Sequence, residues 1–465
     1  MTDSMNKNKT VILYLLISLA LTNCNKDSSP SPDSSQSMNM NTVDADMMVP
    51  TEDMNSSMMT EDTSDAGSEN MTDRCETPID LCDGTFEGPP PLNEHSGTYV
   101  EDHNMLVIFG GNTSVPENCG YPAYTGETVT WLYYDGVLPL DCGPWVRIEG
   151  AGPPGRARHS ATYGEGSVWI FGGRVRAGTS GPYQIFNDLW RFDVESRVWS
   201  QVTPSNQPPP SRYNSGLVYD PSTRSLWTFG GNVSGSSLNP DAANDLWRFD
   251  IEAGTWSQIE TSINLRDRMW HNMIFDTNRN RVVVFGGADE TAYFDDAVYF
   301  NDLIWYDVAN GTWGRAERET APDGRFWSQM IYRQADDTYM VFGGHDDQLL
   351  GNRNDIWSFS PTKGFWTQLE SEDTYNRPAN GFCDFPSDFT NVVRDIPERR
   401  NAHSFSWSQS CDHGVIFGGK TDCGAVNDVW RYEPDQGWIN RELASAGESC
   451  RRWRSNPDNC SNLCF

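Results

Sequence analysis

Between residues 143 and 382 the 465-residue chain contains no cysteine, and its most apolar run, residues 11–21, is too short to cross a bilayer comfortably. Charged residues make up only 21% of the chain and are lopsided: 65 Asp and Glu stand against 34 Lys and Arg, a formal net charge of −31. Residues 1–74 hold 12 acidic and 4 basic side chains, a net of −8, so −23 belongs to the remainder. A surface of that sign repels phosphate backbones and anionic lipids; it argues against nucleic-acid partners and against membrane contact beyond an anchor. Signatures of catalysis are missing too: no Gly-x-Ser-x-Gly elbow, no His-Glu-x-x-His pair and no glycine-rich phosphate loop. No cofactor is expected, and an enzyme is the less favoured reading.

What is plentiful is tryptophan at 18, glycine at 40 and proline at 27, a composition that suits many short strands joined by turns. The N-terminus reads separately. Lys7 and Lys9 precede the apolar run, the layout of a secretory signal. Leu21-Thr22-Asn23-Cys24 follows and resembles the bacterial lipobox, with Asn23 where Gly or Ala is usual. That resemblance implies a signal peptide over 1–23, lipidation at Cys24 and export. Asn25, rather than an aspartate, points to the outer membrane, facing either the periplasm or the outside.

Residues 25–74, rich in Ser, Asp, Pro, Asn and Met, cannot bury enough surface to offset ordering entropy and read as a disordered acidic linker. A coil of this length reaches roughly 40 Å. Eight of the 15 methionines lie between Met38 and Met71, thioethers that suit Cu(I), although a solvated spacer is the simpler reading.

The rest of the chain repeats. Phe-Gly-Gly occurs at Phe109, Phe171, Phe229, Phe285, Phe342 and Phe417, each at the end of an apolar run. Downstream of five copies comes Asn-Asp-aliphatic, at Asn187, Asn244, Asn301, Asn354 and Asn427, leading into an aromatic strand; the first repeat has Thr128-Val129-Thr130-Trp131 instead. A lone tryptophan closes each unit: Trp145, Trp199, Trp256, Trp313, Trp366 and Trp438. Upstream of each Phe-Gly-Gly lies one more short strand ending in an aromatic residue, from Tyr99 to Trp407, which makes four strands per repeat. One such sheet cannot cover both of its apolar faces, but six arranged radially cover one another.

Over residues 92–442 the pattern resembles the kelch repeat. It implies an all-β fold, a six-bladed kelch-type β-propeller over 75–449, of the kind that forms the central domain of galactose oxidase. Nothing in the sequence matches that enzyme's copper site.

Apart from Cys24 there are ten cysteines. Cys75, Cys82, Cys119 and Cys142 lie before or within the first blade; Cys383, Cys411, Cys423, Cys450, Cys460 and Cys464 lie around or after the sixth. In a closed ring those groups are neighbours, so disulfides are expected to staple the seam, with a Cys-rich tail, 450–465, docked there. Their pairing is open.

Loop length is concentrated on one face, in 112–127, 174–186, 232–243, 288–300 and 345–353, joined by the insertion 371–399. Two candidate sites follow. On the loops, Tyr293, Phe294, Asp295, Asp296, His345, Asp346 and Asp347 form an acidic and aromatic set suited to a sugar or a cationic peptide. On the axis, Arg156, Arg212, Arg268, Arg325 and Arg400 share one repeat position, and His95, His159, His271 and His403 share another three residues later. These either rim the central channel as an anion or metal site or serve to pack the blades. The favoured function is a monomeric binding module for a protein or glycan, working through the long-loop face; the alternative is an exported oxidoreductase, hydrolase or sugar epimerase using the axial His/Arg ring.

Overall fold

The computed structural model describes residues 83–444 except 114–125, 137, 139–141, 179–180, 237–238, 261–264, 293–296, 318, 347–350, 373–394 and 422–423. The signal segment, Cys24, the linker 25–74 and the tail 450–465 lie outside the described residues. Six blades, each built on four antiparallel strands, make up the rest; a two-stranded sheet, Arg174–Val175 with Gln184–Ile185, intervenes in blade two, and the short strands Arg400–Asn401, Lys420–Thr421 and Gly424–Ala425 extend the sheet of blade five. The first strands are Ser96–Val100, Ser160–Gly164, Gly216–Asp220, Asn272–Asp276, Gln329–Arg333 and Ser404–Ser408. Blade three shows the full unit: Gly216–Asp220, Ser225–Asn232, Ala242–Asp250 and Thr255–Ile259, antiparallel throughout. Among the described residues the helical content is one 3-10 turn, Glu101–His103.

The second strands explain why blades need neighbours. Val282, Val283 and Val284 are successive residues that point to opposite faces, yet all three are fully buried. Both faces are therefore covered, and the hydrophobic core lies between blades. One cluster joins Val218, Trp227 and Phe229 of blade three to Val282, Val284 and Ile304 of blade four. Another joins Leu106, Ile108 and Trp131 of blade one to Val415, Phe417 and Val429 of blade six, so the seam is packed as the other interfaces are.

Each first strand lies against those of its two neighbours, the sixth against the first, and the ring is closed. Among the described residues no strand is exchanged at the seam; blade one and blade six each keep their own four. A repeated aromatic contact holds every interface. The phenylalanine of Phe-Gly-Gly meets the closing tryptophan of the next blade: Phe109 with Trp199, Phe171 with Trp256, Phe229 with Trp313, Phe285 with Trp366, Phe342 with Trp438 and, across the seam, Phe417 with Trp145, at centroid distances of 4.9 to 5.5 Å.

The diglycine is required by the same closeness. A Cβ on Gly172 would stand 2.4 Å from the Arg212 carbonyl oxygen of the next blade, and one on Gly173 would stand 2.9 Å from the His159 Cβ. Both glycines have positive φ, 70° and 100°, and the Gly173 N–H donates to that same Arg212 carbonyl at 2.9 Å.

Candidate functional site

Two residues before each first strand stands a residue held in the left-handed region: Glu94, Arg158, Asn214, Trp270, Trp327 and Ala402, with φ from 49° to 60°. Six non-glycine residues in one strained conformation need a structural reason. Their backbones supply it. Arg158 N–H donates to Glu94 C=O, Asn214 to Arg158, Trp270 to Asn214, Trp327 to Trp270, Ala402 to Trp327 and Glu94 to Ala402, over 2.9 to 3.2 Å. The hydrogen bonds run once around the axis and return to their start, forming an annulus at one mouth of the channel.

This mouth opens on the long-loop face. Isolated bridges pair Asn93 with Asn112, Ala157 with Arg174, Tyr213 with Asn232, Met269 with Ala288 and Phe326 with His345, which ties the entry to each first strand to the start of the long loop after the diglycine. The side chains of the annulus differ from blade to blade. Arg158 forms an ion pair with Glu94 of the adjacent blade and places its guanidinium 4.6 Å from the ring centroid of Trp327. Blades two and five are opposite in a ring of six, so Arg158 spans the mouth. Trp270 packs edge-on against Trp327 at 5.3 Å. Burial pushes the Glu94 carboxyl up, but the charges of Arg158, Arg174 and Lys420 outweigh it and hold the group below the ordinary carboxylate value.

Below the rim lies a cavity of about 100 Å³ and, deeper, one of about 150 Å³ walled by small polar residues such as Ser96, Ser160 and Ser404. His95, His159, His271 and His403 line both, as the repeat position predicts. Each ring also packs edge-on against the diglycine phenylalanine of the preceding blade: His95 on Phe417, His159 on Phe109, His271 on Phe229 and His403 on Phe342. Burial drives the first three imidazoles down to about 3 and His403 well below its ordinary value, with Arg156, Arg268 and Arg400 adding to the shift in His159, His271 and His403. All four are neutral near pH 7. Among the described residues no group of three or more His, Cys, Asp or Glu is placed to hold a metal.

The arginines take the packing alternative of the two expected for the axial ring. Arg156, Arg212, Arg268, Arg325 and Arg400 are fully buried and line neither cavity. Each turns into its own blade and grips the aspartate of Asn-Asp with two nitrogens: Asp188, Asp245, Asp302, Asp355 and Asp428, at 2.5 to 3.0 Å. The same guanidiniums donate to the first diglycine carbonyl, as Arg212 does to Gly230 at 2.9 Å. A forked donor and a buried carboxylate make a brace between the first and third strands. Blade one has Leu92 for the arginine and Val129 for the aspartate, and both belong to the apolar cluster at the seam, Leu92 within it and Val129 against it.

Of the loop set, Tyr293, Phe294, Asp295, Asp296 and Asp347 lie outside the described residues, and Asp346 ends the strand Thr338–Asp346. His345 is within hydrogen-bonding distance of Asn352, Nδ1 to Oδ1 2.7 Å, and packs edge-on against Phe326. Of the cysteines, Cys142 and Cys411 are described, each disulfide-bonded; Cys75, Cys82, Cys119, Cys383, Cys423, Cys450, Cys460 and Cys464 lie outside. The annulus residues were not among the sequence candidates. Their one signal was position, directly before the repeated His or Ser, and a search for recurring identities passes over a position at which six repeats carry five residue types.

Six four-stranded blades bearing the diglycine and the spaced tryptophan, five of them with the Arg–Asp brace, define a kelch-type propeller. A profile described as the KLHDC2/KLHL20/DRC7 Kelch-repeats domain matches residues 71–265 and 222–383, and the chain belongs to this kelch-repeat family. It is similar to the multiple epidermal growth factor-like domains protein 8 of Homo sapiens, 24% identical over 57% of this chain and 9% of that protein. It is also similar to the Kelch domain-containing protein 1 of Mus musculus, 27% identical over 47% of this chain and 54% of the relative. Against the leucine-zipper-like transcriptional regulator 1 of Mus musculus the identity is 32% over 37% of this chain and 19% of the relative. The chain thus spans about half of one of these relatives and far less of the other two.

Proposed function

We propose that this chain is a protein-binding propeller, exported and held at the outer membrane through lipidated Cys24 and the linker 25–74, which captures a partner protein on its long-loop face. Membership of the kelch-repeat family supports a protein-interaction module. The observation that carries the choice of face is the contrast between what repeats and what does not. The residues that hold the ring, the Phe–Trp contacts, the diglycine and the Arg–Asp braces, recur around it, whereas the six side chains at the axial mouth are an acid, a base, an amide, two indoles and a methyl. Packing alone favours repetition; chemical variety on a rigid platform is what selective recognition uses. Disulfides among the early and late cysteines would hold the platform's seam in an oxidising compartment.

Photocrosslinking in intact cells tests this. A photoreactive residue in place of Asn239 or Glu290, exposed on the long-loop side, is expected to capture a partner, and one in place of Asn278 or Lys363, in turns at the other end of the blades, is not. Equal capture from both faces contradicts the proposal.

A further inference from the structure

The ion pair and stacking at the mouth have the composition of a cation-binding cage that is already filled. We propose that Glu94, Trp327 and Trp270 form such a cage, that the chain's own Arg158 occupies it, and that an arginine side chain of the partner protein takes its place. The inference rests on the loop face being the binding face and adds the chemistry that the face selects.

The argument begins with the contents of the site. A guanidinium lies 4.6 Å over the Trp327 ring while bonding one oxygen of Glu94, and Trp270 walls the indole at 5.3 Å. A carboxylate plus an aromatic face is what a desolvated cation requires, and the planar guanidinium suits both at once. The second Glu94 oxygen is 4.0 Å from Arg174, so the first is the one an incoming donor would use. Arg174 itself is engaged with aromatic faces, Tyr183 at 3.9 Å and Tyr213 at 4.8 Å, and serves as wall rather than guest.

Arg174 and Lys420 lie within electrostatic reach of Glu94 but line neither cavity. Glu94 and Arg158 are the only formally charged residues lining the upper cavity besides histidines held neutral, and the lower cavity's lining has none. Without Arg158 the rim keeps a carboxylate facing two indoles, a match for a cation and a mismatch for an anion. On a chain of net charge −31 the long-range field draws a basic segment toward it. Asn214 and Ala402, the remaining annulus positions, place short side chains between the charged and the aromatic halves, so the mouth is not filled on those sides.

Calorimetric titration of the full chain with N-acetylarginine amide, against the neutral isostere N-acetylcitrulline amide, tests the cage without needing the partner. Arg158→Ala is expected to bind the arginine probe at least tenfold more tightly than the unaltered protein does. Citrulline should bind neither, and Glu94→Gln on the Arg158→Ala background should abolish the gain. Arg158→Gln, which keeps the stem and drops the charge, gives the same reading if the alanine variant folds poorly. If neither variant gains affinity, or if citrulline binds as well as arginine, the cage is wrong. Loop-face crosslinks without arginine binding would remove the cage and leave the binding face; arginine binding without loop-face crosslinks would do the reverse.

Discussion

His271 illustrates how one side chain comes to look functional while doing structural work. Its ring meets Phe229 of the neighbouring blade at 5.4 Å and lines both axial cavities, and burial holds it at about 3. The unfolded chain returns the imidazole to its ordinary 6.5 and so binds a proton that the native ring refuses. The sign follows: this contribution to stability is complete above pH 6.5 and is lost as the pH falls toward 3. His271→Ser, the residue that blades three and five carry at Ser215 and Ser328, removes the linkage. The drop in Tm between pH 7 and pH 5 is expected to be smaller in His271→Ser than in the unaltered protein, measured by scanning calorimetry; an equal drop contradicts a buried neutral imidazole. The repeat position of these histidines was legible in the sequence, and so was their place on the axis. Their charge state was not, because it depends on how closely the preceding blade's phenylalanine covers them.

At the scale of the strand, the Arg–Asp brace explains two departures that the sequence showed separately. Leu92 breaks the run of arginines and Thr128-Val129 breaks the run of Asn-Asp, both in blade one. In the structure both join one apolar cluster where the other five blades have an ion pair, so the position pair is ionic in five blades and apolar in the first. Arg268→Leu alone takes the two-nitrogen partner from Asp302, which is 1% exposed and keeps the looser approach of Arg315 at 3.9 Å, and is expected to cost about 3–5 kcal/mol. Arg268→Leu with Asp302→Val, the combination blade one uses, is expected to recover most of that loss, to within about 1–2 kcal/mol. Urea melts of the two variants decide it, and additive losses would contradict a paired brace. The strands themselves were readable from aromatic and diglycine spacing. The direction of the arginines was not: a residue four positions before an innermost strand has the axis on one side and its own blade on the other, and the buried aspartate decides between them.

For the whole molecule, closure was the main expectation from the repeat count, and the manner of closure was not visible. Among the described residues it uses no exchanged strand. Blade six instead holds blade one by the Phe417–Trp145 contact, by Asn427 donating to Pro89 C=O at 3.0 Å and by the Trp145 indole donating to Glu442 at 2.7 Å. Buried Asp135 adds a two-sided link, to His413 and Arg431 of blade six, which keep its carboxyl below the ordinary value although burial opposes them. The backbone annulus is silent in the sequence because it is made of groups every residue has; only its positive φ values mark it, and non-glycine residues conceal them.

That annulus is also the platform for everything at the mouth, and its amides give the most direct test. Hydrogen exchange at Glu94, Arg158, Asn214, Trp270, Trp327 and Ala402 should be slow and uniform, with all six opening together at the free energy of global unfolding. Much faster exchange at Glu94 and Ala402 than at the other four would mean that the seam opens on its own, and would contradict a closed ring.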